Sequence, residues 1–322
     1  MSAGFGKTFS GLQGIKSIED FDLKDQRVFI RLDLNVPMKG EPGSLEITDD
    51  TRIRAAIPTV KFALEKGAKV ILASHLGRPE KDEDRAKFTL EPVAERLGQL
   101  LNCELILIEE PTSDAPKALL QGLKSNQVLI LENVRFDKGE TKNAAELANV
   151  IASYTDIYIN DAFGASHRAH STIDALPRLV KKRGVGFLIK KEIEALGGLL
   201  AGPTKPFVAI MGGSKVSDKI GVIEKMIESI DVFMIGGAMA YTFLAAKGFA
   251  VGKSRVEKDR VTFARELINR IESRGKKVLL PIDHIVADDF LTPSKIETIA
   301  SENIPEDRLG LDIGPKTRAM YR

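Results

Sequence analysis

Apolar and polar positions alternate between two periods along the chain. The runs "VFIRLDLNV" (28–36), "AKVILAS" (68–74), "QVLILEN" (127–133) and "DIYIND" (156–161) are short and rich in β-branched residues, the pattern of buried strands. Stretches such as Arg52–Lys66 and Thr89–Leu101 separate them and repeat their apolar residues at helical spacing. This alternation predicts an α/β fold with a mainly parallel sheet. After "LAGPTKP" (200–206), whose glycine and two prolines mark a break, a second series follows: "FVAIM" (207–211), "VFMI" (232–235) and "KKVLLPID" (276–283). Two α/β domains are therefore expected. Between them, "GFLIKKEIEALGGLL" (186–200) carries apolar residues at 188, 189, 193, 196 and 200, which predicts a linker helix rather than a loose tether. The expected division is 1–183 for the first domain, 184–202 for the linker and hinge, and 203–322 for the second.

Length and composition narrow the function classes. At 322 residues the chain exceeds one ordinary core, in keeping with two domains. An apolar share of 43% with 29% charged residues is that of a soluble globular protein. Because 47 basic groups face 45 acidic ones, there is no overall basic field of the kind a nucleic-acid binder shows, and any anion site has to be local. The single cysteine, Cys103, leaves no intramolecular disulfide and no cysteine-based zinc site. The first thirty residues carry charges at Lys7, Lys16, Glu19 and Asp20 and lack a secretory core, and the longest apolar run, Val232 to Ala246, is broken by Gly236 and Gly237. A cytoplasmic protein with no membrane partner is expected.

Candidate chemistry falls at the ends of the strands. Asp33 and Asn35 close the first run, His75 and Arg78 follow the second, Arg135 follows the third, and "NDAFGASHRAH" with His167, Arg168 and His170 follows the fourth. In an open parallel sheet, ligands bind outside the carboxyl ends of the strands, where loops converge. Taken singly, these residues have ordinary readings: Asp33 pairing with Arg31 or Arg52, Asn35 stopping a strand before Val36-Pro37, His170 packing. Jointly they deliver cations from four loops to one edge, which suits a phosphate or carboxylate ligand. Interleaved aromatics for stacking on bases are lacking apart from Phe136 and Phe163, which disfavours nucleic acid.

In the second half, "FVAIMGGSKVSDKIGVIEKM" sets Gly212 and Gly213 at a strand end and then Ser214, Lys215 and Lys219, read as the start of a helix with both lysines on one face. "IGGAMA" (235–240) adds Gly237, and "GLDIGP" (310–315) adds Gly310. A glycine pair alone is a tight βα turn; with paired lysines beside it, a nucleotide-phosphate site is expected. The spacing matches neither the P-loop nor the dinucleotide fingerprint.

"RLDLNVP", "SHLGRP", "LENVRF", "NDAFGASHRAH", "GFLIKKE", "GGSKVSDKI", "IGGAMA" and "LDIGP", in this order, closely resemble phosphoglycerate kinase over essentially the whole chain. The resemblance implies two Rossmann-like domains with mainly parallel sheets joined by a linker helix, and hinge closure about it. It implies reversible transfer of the acyl phosphate of 1,3-bisphosphoglycerate to Mg-ADP, giving 3-phosphoglycerate and ATP in glycolysis. It also implies a monomer. Carried over by position, Asp33, Asn35, Arg52, His75, Arg78, Arg135, His167 and Arg168 would hold the phosphoglycerate. Arg52 and Lys215 would meet the migrating phosphoryl group from opposite sides, and Gly213, Lys219, Gly237 and Gly310 would surround the nucleotide. Mg2+ would travel with ATP or ADP.

The resemblance also implies further blocks after "LDIGPKT": an "NGP"-type block, a glycine-rich loop with the aspartate for the nucleotide's magnesium, and a segment returning to the first domain. On that basis the second domain is expected to be incomplete, with an exposed sheet edge and no assignable metal ligand. A truncated, non-catalytic phosphoglycerate-binding homologue is the alternative expectation.

Overall fold

The computed structural model describes residues 14–322; Lys7, one of the charges of the opening stretch, lies outside the described residues. The chain forms two compact units that divide between Gly197 and Gly198.

The first unit contains β1 (Arg27–Leu32), a small hairpin of β2 (Met38–Lys39) and β3 (Glu46–Ile47), α1 (Thr51–Glu65), β4 (Lys69–Ala73), α2 (Glu91–Leu101), β5 (Glu104–Ile108) and α3 (Ala115–Gly122). It continues through β6 (Gln127–Leu131), α4 (Lys138–Thr141), α5 (Ala145–Ala152), β7 (Ile157–Asp161), α6 (Leu176–Leu179), β8 (Lys182–Val185) and into α7 (Phe187–Ala201). Six strands form one sheet in the order β5-β6-β4-β1-β7-β8, every neighbour parallel. Successive side chains of a strand point to opposite faces, so each buried strand supplies two cores. Val28, Ile30 and Leu32 of β1 join Val70, Leu72, Val128 and Ile159 against α1 and α2 on one face. Phe29 joins Ile71, Leu129, Leu131 and Tyr158 against α3, α5 and α6 on the other. Arg31 shares that second face and is wholly buried there.

This topology places the site. From β1 the chain leaves toward β4, while from β7 it leaves toward β8, so the exits of two neighbouring strands diverge. Such a divergence opens a crevice at the carboxyl ends, the usual ligand position in this architecture.

α7 begins where the Asp161 carboxylate, at the end of β7, accepts hydrogen bonds from the N–H groups of Leu188 (2.9 Å) and Ile189 (3.1 Å). That carboxylate satisfies donors which a helix start otherwise leaves unpaired. The linker segment is thus helical over Phe187–Ala201.

The second unit holds β9 (Val208–Met211), α8 (Ile220–Met226), β10 (Val232–Ile235), α9 (Met239–Ala246), α10 (Val261–Glu272), β11 (Lys277–Leu279), β12 (His284–Ala287), β13 (Ile296–Ile299), β14 (Leu309–Ile313) and α11 (Pro315–Met320). β11-β10-β9 form a parallel sheet, and β13-β12-β14 form an antiparallel one. β9 is an edge strand, and Ile210 on it is 80% exposed.

Two expectations need correction here. The run 276–283 is not one strand: β11 stops at Leu279 and β12 starts at His284. Pro281 cannot donate to a ladder, and Asp283 turns away to cap α11, accepting from Thr317 N at 2.7 Å and Lys316 N at 2.8 Å. Nor do Lys215 and Lys219 share a helix face, because α8 starts only at Ile220. Before it, 217–219 is a turn, and the Glu257 carboxylate accepts from the N–H groups of Val216 and Ser217 and from the Ser217 hydroxyl (2.7 Å).

Candidate functional site

Three of the four loops at the first sheet's carboxyl edge are tied to each other by hydrogen bonds. Leu34 N donates to Ser74 Oγ at 2.8 Å, joining the exits of β1 and β4. Asn35 Oδ1 accepts from Gly77 N at 2.8 Å, and Arg135 Nη1 donates to the carbonyl of the same Gly77. Asn133 accepts from Leu76 N and donates to Leu76 O at 2.7 Å, so the exits of β4 and β6 are bound twice. Gly77 has φ +58°, and a Cβ there would strike the Phe88 ring at 2.2 Å, so this crossing point requires glycine. The fourth loop approaches from β7: a Cβ on Gly164 would stand 2.7 Å from Asp33 Oδ2.

Cations gather on this frame. Burial, and then repulsion from Arg168, Arg31 and Arg78, holds Arg135 below its ordinary value. His75 is pushed down to about 2 by burial and by Arg31, Arg135 and Arg168. His170 is lowered by burial, with Glu140 opposing and Arg135, Arg168 and Arg31 reinforcing. Arg31 from β1 and Arg78 and Arg168 from the loops after β4 and β7 thus all lie close enough to Arg135 to repel it. Crowding of like charge is unfavourable without an anion to answer it. Arg135 Nε is buried and has no hydrogen-bond partner. His75 is 3% exposed, and burial among these cations favours its neutral ring.

The remaining expected residues sit as follows. Arg52, exposed in the first turn of α1, donates to Asp33 Oδ1 at 2.8 Å. Asn35 is half-buried, Arg78 and His167 are exposed, and Arg168 is half-buried. Two buried residues were not expected: Arg31 and Glu140. Arg31 donates from Nε to Thr172 Oγ1 at 2.8 Å, and its Nη2 stands 3.7 Å from Glu140 Oε1. The one hint in the sequence was a charge inside an otherwise apolar strand, "VFIRL".

In the second unit the turns after β9 and β10 nest together. Gly237, at φ +65°, would place a Cβ 3.0 Å from Gly213 N, and Met239 N donates to Gly213 O at 2.9 Å. Lys219 lies alongside: a Cβ on Gly213 would be 3.7 Å from Lys219 Cε. Lys215 is exposed on the same turn near Glu257, whose carboxyl is lowered, against burial, chiefly by hydrogen bonds from Ser217 and Val216 and last by Lys215. Gly310 lies on β14 against Tyr241 of α9, and a Cβ there would fall 1.9 Å from the Tyr241 hydroxyl oxygen. Among the described residues no group of three or more His, Cys, Asp or Glu side chains could hold a metal ion, and no helix is long and apolar enough to cross a membrane.

The family model described as phosphoglycerate kinase matches residues 18–322. Phosphoglycerate kinase of Bdellovibrio bacteriovorus is 56% identical over 308 residues, covering 96% of this chain and 76% of that protein. The cytosolic phosphoglycerate kinase of Triticum aestivum is 46% identical over 303 residues, 94% of this chain and 74% of that protein. Among solved structures, phosphoglycerate kinase from Coxiella burnetii aligns with a TM-score of 0.81 at 38% identity, over 95% of this chain and 76% of that one. The enzyme from Pyrococcus horikoshii aligns with a TM-score of 0.77 at 30% identity, with the same coverage.

Proposed function

The chain belongs to the phosphoglycerate kinase family, a family of phosphotransferases, and from that we propose that it transfers the acyl phosphate of 1,3-bisphosphoglycerate reversibly to Mg-ADP. The products are 3-phosphoglycerate and ATP, and the setting is glycolysis in the cytoplasm, by a monomer. We read 1–183 as the phosphoglycerate domain, 184–202 as the link and 203–322 as the nucleotide domain.

One observation carries the substrate reading: Arg31, Arg78 and Arg168, from β1 and the loops after β4 and β7, bear on Arg135, whose buried Nε has no hydrogen-bond partner. A small dianion answers that arrangement, since guanidinium forks match phosphate and carboxylate oxygens. In this reading Asp33, Asn35, Arg52, His75, Arg78, Arg135, His167 and Arg168 form the phosphoglycerate site. His75 serves as a neutral hydrogen-bonding group. Gly213, Lys215, Lys219, Gly237 and Gly310 form the nucleotide site, where the closely nested glycine turns leave backbone open to phosphate oxygens. Magnesium enters as part of the nucleotide substrate.

The reaction breaks the bond between phosphorus and the acyl oxygen and forms one to the terminal oxygen of ADP, with no covalent protein intermediate. Its transition state spreads negative charge over the phosphoryl oxygens, so positioned cations supply the stabilisation. Arg52 and Lys215 are assigned that role. A coupled kinase assay run beside calorimetry with 3-phosphoglycerate tests the proposal. Turnover with binding supports it, whereas heat without turnover marks a binder that does not catalyse.

A further inference from the structure

Behind the basic rim lies a buried polar network to which no part of the substrate reading gives a role. We propose that Glu140 is a positioning residue of the phosphoglycerate site, acting through Thr172 on Arg31 and on the loop that carries Arg168 and His170. The inference rests on the reading of that rim as the phosphoglycerate site.

Glu140 belongs to the short helix α4 and is fully buried. Its Oε2 accepts from Thr172 N at 2.9 Å, and its Oε1 accepts from the Thr172 hydroxyl at 2.7 Å. That hydroxyl oxygen in turn accepts from Arg31 Nε at 2.8 Å. The direct approaches are longer, 3.7 Å to Arg31 Nη2 and 3.8 Å to His170 Nδ1. Distances of that length are not hydrogen bonds. Thr172 thus holds the Nε side of Arg31, while Nη1 donates to Leu32 O and Nη2 lies 3.4 Å from His75 Nδ1, and the charge of Glu140 offsets that of a guanidinium with no access to water.

Thr172 is fixed from a third side as well, because the Tyr158 hydroxyl donates to its carbonyl at 2.8 Å. It lies in a π-helical turn, Ser171–Ala175, a geometry common at functional sites. One carboxylate thus joins β1, α4 and the loop after β7. The charged and titratable groups facing it are Arg31 from β1, Arg135 after β6, Tyr158 on β7 and His170 beyond β7, while His75 and Arg168 bear on these groups in turn. In the free protein burial, and then the arginines, oppose a proton on His170, while Glu140, 3.8 Å from its Nδ1, favours one. An anion in the rim cancels the arginine repulsion, which leaves Glu140 as the decisive neighbour. His170 then binds the ligand as imidazolium.

The test is calorimetry of the full chain with 3-phosphoglycerate at pH 8 and pH 6, for the parent protein, Thr172→Val, Thr172→Ser and Glu140→Gln, with thermal melts to establish folding. Thr172→Val keeps the volume but removes the relay; it should weaken binding roughly tenfold, the equivalent of one charge-assisted hydrogen bond. Thr172→Ser should restore it. The affinity ratio of parent to Glu140→Gln should be larger at pH 6 than at pH 8, a comparison in which ionisation of the ligand cancels. If folded Thr172→Val binds as the parent does, or the ratio is the same at both pH values, Glu140 is only a core group and the inference is overturned. A parent protein that gives no heat removes the phosphoglycerate reading, and this inference with it.

Discussion

Arg52 Nη1 lies 2.8 Å from Asp33 Oδ1, joining the first turn of α1 to the end of β1. The arginine is half-exposed and its partner mostly covered, so the pair holds the guanidinium at the mouth of the crevice without confining it. A pair of this exposure contributes little to stability, and Arg52→Ala should leave the melting temperature almost unchanged. Its effect should fall on transfer, with kcat reduced by roughly 10²–10³-fold, as for removal of one transition-state donor. A coupled assay combined with nucleotide-binding calorimetry reads both quantities. Undiminished turnover would show that the assigned role is wrong.

A second prediction separates packing from ligand contact at Gly310. A Cβ there would stand 1.9 Å from the Tyr241 hydroxyl oxygen and 2.2 Å from Cζ, and Tyr241 is buried in the core of the second unit. Gly310→Ala must displace that ring, at a cost of roughly 1–3 kcal/mol for overpacking. A lowered melting temperature is expected. ADP affinity should fall only as far as the fold loosens. An unchanged melt with lost ADP binding would instead assign Gly310 a direct place at the nucleotide.

In the first unit, the strands legible in the sequence are those buried on both faces. β1, β4, β6 and β7 stood out because their apolar runs are continuous and end in polar loops. β8, Lys182–Val185, is a charged edge strand whose pairing depends on β7 rather than on its own pattern. β5 follows α2 after only two residues, so its apolar residues merge with the helical signal. β12, β13 and β14 are short antiparallel strands held by their partners' register, which no local period reveals. The basic rim was legible because parallel topology sends every strand exit to one edge. Arg31, Glu140 and Thr172 were not, since their meeting depends on β1 lying beside β7 and on α4 packing against the turn that carries Thr172.

Acid sensitivity should include a clear contribution from His75. Its folded-state value, about 2, lies far below the ordinary 6.5 because burial and the arginines disfavour the charged ring. Between those values the unfolded chain binds more protons than the folded one, so stability rises with pH in that window. The contribution is fully present above about pH 6.5 and is lost progressively as pH falls. In NMR titrations from pH 8 to pH 4 the His75 ring signals should stay at neutral-imidazole positions. Movement through a midpoint near 6.5 would contradict the buried, cation-flanked setting.

Asp161 should act in the opposite sense. Burial raises its carboxyl above the ordinary 3.8, only partly offset by the Thr59 hydroxyl and the N–H groups of Ile189 and Leu188, and Oδ2 is buried without a partner. Here the folded state binds the proton more tightly than the unfolded chain. Stability therefore falls as pH rises from the ordinary aspartate range through the raised folded value, and the cost persists at neutral pH. Gly186 makes the site intolerant of bulk, since a Cβ there would be 2.3 Å from Asp161 Cγ. Asp161→Asn keeps the shape and the acceptor for the first turn of α7 while removing the ionisable group. In denaturant titrations across pH 4 to 7, the variant should lose part of the decline that the parent shows and should be no less stable at pH 7. A variant markedly weaker at neutral pH would mean that the negative charge at the start of α7 is worth more than the desolvation it suffers.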